Sequence, residues 1–135
     1  MTLEKSLYDL RGASAVVSPG TGYPEPGMAS IQLFFENGTR LEAEYWRLVL
    51  DGKPGISSFD HQQKYGLPAP IDAVNTLRET LQDRLVTNAL LDHQTGDLLF
   101  EFAGNIALQV FNFTSYEIWH IGFPDGTGEY SNYVK

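Results

Sequence analysis

The dipeptide Asn37-Gly38, set between two alternating apolar runs, constrains this chain more than any other feature. Ile31, Leu33 and Phe35 alternate before it, and Leu41, Ala43 and Tyr45 alternate after it. A period of two puts each set on one face of a strand. Asn-Gly tolerates the positive φ of a tight turn, so the segment predicts an antiparallel hairpin turning at Glu36–Thr39. A second hairpin follows the same logic, with Leu98, Phe100 and Phe102 leading through Ala103-Gly104-Asn105 into Ile106, Leu108 and Val110.

A shift of 67 residues superposes the two hairpins, setting Leu33, Phe35, Leu41 and Ala43 on Phe100, Phe102, Leu108 and Val110. Upstream, Leu7-x-Asp9 and Ala15-Val16-Val17 resemble Leu81-x-Asp83 and Ala89-Leu90-Leu91. The pattern therefore permits two duplicated three-stranded meanders. Flanking strands are expected at Leu10–Val17, Val86–Leu91, Tyr116–Ile121 and near Tyr130–Val134. Exposed loop is expected over Ser18–Ala29 and irregular chain over Asp51–Pro70, both rich in Pro and Gly.

One amphipathic helix is predicted over Ala73–Arg84. Asp72 can cap it, and Val74, Leu77, Leu81 and Leu85 recur at helical spacing on one face. The fold class is α+β, predominantly antiparallel sheet packed against this helix, as one domain over residues 1–135. Either one sheet of six or more strands or two sheets face to face satisfies the pattern. With 135 residues and 42% hydrophobic content, a core is affordable without staples. There is no cysteine, hence no disulfide or thiolate site. A reducing, cytoplasmic setting fits that composition. The N-terminal residues do not read as a signal peptide, and no apolar run approaches the roughly 20 residues of a membrane span.

The net charge is −8. No Lys or Arg occurs between Leu85 and Val134, while Asp92, Asp97, Glu101, Glu117, Asp125 and Glu129 all fall there. Phosphate contacts need a basic surface, so nucleic acid is not expected as a partner; a basic protein partner is allowed by the charge but not required by it, since acidity also serves solubility. No cofactor or metal is expected: His61, His93 and His120 have no ligand spacing, and neither a phosphate loop nor a nucleophile elbow occurs.

Candidate contact residues come from two strands. Glu42, Glu44 and Trp46 should share the outward face opposite Leu41, Ala43 and Tyr45, with the two carboxylates roughly 7 Å apart. In Tyr116-Glu117-Ile118-Trp119-His120, alternation puts Tyr116 and His120 on one face and Glu117 and Trp119 on the other. Glu101 adds a further carboxylate in the base-free segment. None of these is assigned a catalytic role.

The Asn-Gly hairpin with Leu41-Glu42-Ala43-Glu44, Gly96-Asp97-Leu98 and Tyr116-Glu117-Ile118-Trp119 together resemble small uncharacterised bacterial domains. Some of those sit near polymorphic toxin systems as presumed immunity proteins. The resemblance spans Leu7 to Gly126 and implies non-enzymatic binding of a protein, with no catalytic residue to carry over. The expected function is thus an acidic protein-binding module of the immunity or inhibitor kind. The alternative is a small-molecule or metal-dependent enzyme using His61, Glu117 or His120 in a pocket between sheet and helix.

Overall fold

The computed structural model describes residues 3–21, 29–114 and 117–131. It contains ten strands in two antiparallel five-stranded sheets and two α-helices among those residues. The chain begins with helix α1 (Leu3–Tyr8) and strand β1 (Ala15–Pro19). The hairpin β2 (Ile31–Phe35) and β3 (Arg40–Ala43) follows, then β4 (Trp46–Leu50) and β5 (Lys53–Ser57). A single 3-10 turn, Ser58–Asp60, leads towards helix α2 (Ala73–Leu81). Strands β6 (Val86–Leu91), β7 (Leu98–Phe102), β8 (Ile106–Val110), β9 (Trp119–Gly122) and β10 (Gly128–Tyr130) complete it.

Sheet order is β1-β2-β3-β9-β10 in one layer and β5-β4-β8-β7-β6 in the other. The two inner faces share one core, and Phe35 of the first sheet meets Phe100 of the second with ring centroids 5.6 Å apart. Of the two arrangements compatible with the sequence, the two-layer one is therefore present. Alternation drives it: Ile31, Leu33 and Phe35 are buried, as are Leu98, Phe100 and Phe102. Helix α2 packs on β1 and β5, one strand from each sheet, and so closes a side of the sandwich with Val74, Leu77 and Leu81. Its cap is the expected one, with Asp72 accepting from Asn75 N at 3.0 Å. The helix stops at Leu81 rather than Arg84, and Asp83 beyond it is left-handed (φ 61°).

The two halves of the chain repeat one another. Each runs helix, three-stranded meander, then a hairpin that crosses into the other half's sheet. Thus β4-β5 joins β8, and β9-β10 joins β3. The correspondence reaches individual bonds. Trp46 Nε1 donates to Ala29 O at 2.7 Å, and Trp119 Nε1 donates to Gly96 O at 2.8 Å, each acceptor lying two residues before its strand. Ala43 pairs with Trp119 just as Val110 pairs with Trp46. The shift of 67 is kept by both hairpins. The upstream match moves by two, because Val17 opposite Leu33 corresponds to Ala89 opposite Phe100, with a bulge between Val86 and Asn88.

Other expectations shift for identifiable reasons. The strand expected at Leu10–Val17 begins at Ala15, because Leu3, Leu7 and Leu10 bury one face of α1 and the turn that follows it. Pro54 and Gly55 disguised β5, which tolerates them because it is an edge strand with Lys53 at its start. Its turn, Asp51-Gly52, has positive φ at both residues, the geometry that suits a two-residue hairpin. The strand expected at Tyr116–Ile121 is the shorter β9. The last one is Gly128–Tyr130, and residues 132–135 lie outside those described.

Candidate functional site

Antiparallel pairing of β3 with β9 brings the two candidate strands side by side on the outer face of the first sheet. Glu42 pairs directly with His120, and His120 with Tyr130 on β10. Directly opposed residues sit about 4.5–5.5 Å apart, so their side chains interact. Past the end of β3, Glu44 N donates to Ile118 O at 3.1 Å, which draws the chain around Glu117 alongside Glu44. A shallow groove of about 160 Å³ results, lined by Glu42, Glu44, Glu117, Trp119, His120 and Tyr130. Five residues singled out from sequence thus converge on one place.

Each part of the groove is held differently. Glu42 accepts from Thr21 Oγ1 at 2.6 Å and from Thr21 N at 3.2 Å. These bonds, led by the hydroxyl and joined by Gln32 and the Arg40 charge, hold its carboxyl below the ordinary value of 4.5 against a smaller opposing effect of burial. The His120 and Tyr130 rings stack with centroids 4.3 Å apart and planes 24° apart, forming a flat wall. Glu44 and Glu117 are exposed. The groove can therefore accept a cationic group between carboxylates and against an aromatic surface.

Glu42 also makes a test of this geometry. Its depressed folded value means that its contribution to stability is present above pH 4.5 and is lost as pH falls through the folded value. Thr21→Val should therefore destabilise the protein at neutral pH, by a margin that narrows as pH drops below 4.5. Urea unfolding at several pH values measures it; a margin independent of pH would mean that the bond does not depend on the carboxylate charge.

The remaining candidates lie elsewhere. Trp46 is not on the outward face: it is fully buried. The chain bends at Glu44 and Tyr45 between β3 and β4, so alternation restarts and Ala43 and Trp46 both point inward. Trp119 borders the groove but is 2% exposed, so its indole belongs to the core. Glu101 sits on the other sheet, opposite Ala107, with Asn88 Nδ2 donating to it at 3.4 Å. Tyr116 lies outside the described residues.

The histidines separate as well. His61 is buried, and its Nδ1 accepts from Ala73 N at 3.1 Å, occupying it at the start of α2. The groove that contains Glu117 and His120 does not include it. Asp92 and Asp97 are both engaged: Asp92 Oδ1 accepts from Gln94 N and Thr95 N of its own turn, and Asp97 Oδ1 accepts from Asn112 N beyond β8. Among the described residues, no three His, Asp or Glu side chains are grouped so as to hold a metal ion.

One surface feature escaped sequence reasoning. Tyr45, Phe59 and Phe113 form an aromatic cluster around the residue that follows Glu44, with Tyr45 5.6 Å from Phe59 and 5.2 Å from Phe113 between ring centroids. Phe59 is 49% exposed and Phe113 57%. Phe111 stacks on Phe113 at 5.5 Å, and the Arg47 guanidinium lies over Phe111 at 5.3 Å. The cluster draws on a bend, a 3-10 turn and the segment after β8, so no periodic pattern announces it.

The fold and groove together define a two-sheet α+β sandwich with an acidic, aromatic-walled surface site. Comparison with protein-family models, with curated proteins and with solved structures finds no match to this chain. No helix among the described residues is long and apolar enough to cross a membrane.

Proposed function

We propose that this chain is a non-enzymatic, acidic protein-binding module of the immunity or inhibitor kind, acting in the cytoplasm on a basic protein partner. The observation that carries the reading is the convergence of Glu42, Glu44, Glu117 and His120 on one groove, in a protein of net charge −8. Exposed carboxylates steer a basic partner mainly by raising its association rate. The same field repels nucleic-acid phosphates, which require cationic contacts. The resemblance to presumed immunity proteins points the same way. The enzyme alternative has less support, since His61 is engaged at the start of α2 and lies apart from the groove of Glu117 and His120.

The test begins with a pull-down from the source cell at low salt, followed by binding kinetics with the protein recovered. A basic partner is expected. The double variant Glu44→Gln/Glu117→Gln should associate several-fold more slowly with little change in dissociation. That difference should shrink as salt rises, because exposed charges are screened beyond about 10 Å at 0.1 M. Recovery of no basic protein, or a difference insensitive to salt, would count against the reading.

A further inference from the structure

We infer that Tyr45, Phe59 and Phe113 form the anchor of this interface, and that the occupant is a protein segment carrying an apolar side chain beside a Lys or Arg. The inference rests on the protein-binding reading and supplies what that reading lacks. Carboxylates on a wet rim contribute rate and orientation, whereas tight complexes are held by aromatic groups that become desolvated at the centre. Trp46 and Trp119 cannot serve as that centre, since both indoles are buried and hydrogen-bonded to backbone. The only tryptophans thus belong to the core.

Phe59 and Phe113 meet the requirement that the tryptophans fail. They leave about half of their surface in water, at 49% and 57%, and they share Tyr45 as a common neighbour. Clustered exposed rings of this kind mark interaction surfaces, where scattered single ones do not.

Backbone bonds set the aromatic cluster and the groove on adjoining stretches of chain. Tyr45 follows Glu44, Phe111 N donates to Tyr45 O at 2.9 Å, and Glu44 N donates to Ile118 O. The rings and the carboxylates of Glu44 and Glu117 therefore border the same crossing of the chain. Charge then orients the occupant. Arg47 lies over Phe111 and donates to Gln109 Oε1 at 2.8 Å, placing a cation on the side of the cluster formed by β4 and β8. A base on the bound segment is repelled there and attracted by Glu44 and Glu117, so its apolar neighbour falls on the rings between them.

The experiment pans a phage library of random decapeptides against the full chain, then measures the best synthetic peptide against variants. Peptides with an aromatic or large aliphatic residue within a few positions of Lys or Arg should be enriched. Phe59→Ser/Phe113→Ser should weaken that peptide at least about tenfold at both low and high salt. Phe113→Ala alone, at the more exposed ring, should weaken it in the same direction and guards against misfolding of the double variant. Glu44→Gln/Glu117→Gln should weaken binding only at low salt. Basic peptides without an apolar residue, bound equally by the Phe variants, would overturn the anchor and leave the acidic reading standing. No enrichment of basic peptides would sink both. A concentration-dependent dimer in light scattering, abolished by Phe59→Ser/Phe113→Ser, would give the rings to a second copy of the chain and overturn the inference.

Discussion

Trp46→Ala is expected to lower the free energy of unfolding by about 3–5 kcal/mol, the largest single-site loss foreseen for this protein. Three effects combine in it. The indole is fully buried, so its removal forfeits transfer energy and leaves a cavity between the sheets. Its Nε1 donates to Ala29 O at 2.7 Å, and that carbonyl loses its partner. Trp46 also stands opposite Val110 on the strand that joins the two halves of the chain, so the damage falls where each half depends on the other. Trp46→Phe separates the contributions, since it keeps most of the volume and loses the bond. A cost of about 1–3 kcal/mol is expected for it. Because Trp119 repeats this arrangement with Gly96 O, Trp119→Ala should cost a similar amount. Chemical denaturation measures all three. A cost under about 1 kcal/mol for Trp46→Ala would be incompatible with a buried, bonded indole.

Leu81→Ala carries the second large effect, about 2–5 kcal/mol. Leu81 is the last residue of α2 and is fully buried with Leu77 in the space closed by β1 and β5. Arg78 of the same helix donates to Val17 O at 3.0 Å, tying the helix to the edge of the first sheet. Truncating Leu81 opens a void between layers that cannot collapse without moving both strands. A near-neutral change in denaturant midpoint would mean that the stripe does not pack on the sheets.

How far the sequence could be read follows from how local each determinant is. The β2-β3 and β7-β8 hairpins were legible because period-two alternation and turn residues lie within a dozen positions of each other. Helix α2 was legible because its cap and stripe sit on one segment. The correspondence between halves was visible in the hairpins, but its upstream register was not, since that is set by which residues pair across β1-β2 and β6-β7 and not by the likeness of Ala15-Val16-Val17 to Ala89-Leu90-Leu91. Trp46 was misplaced because parity holds only along an unbroken strand, and the bend at Glu44-Tyr45 restarts the count. Helix α1 was missed because six residues carry too little periodicity to compete with the β-branched run after it. The candidate site divides the same way. Carboxylates on β3 and near β9 could be named singly, and their meeting depends on a pairing between distant strands. The rings of Tyr45, Phe59 and Phe113 come from three irregular segments, and only the folded chain brings them together.

The exchange of hairpins between halves bears on how the protein can be made. Leu41 pairs with Ile121 and Leu48 with Leu108, so neither sheet is complete until the later strands exist. A chain emerging from the ribosome as far as β5 would carry a meander with no β9 beside it and a hairpin with no β8 to rest on. Such a nascent chain exposes strand edges and apolar faces that the finished protein hides. The closing of distant pairs must come late and bring both sheets together at once, which favours slow, all-or-none folding after synthesis over the stepwise growth open to a tandem array.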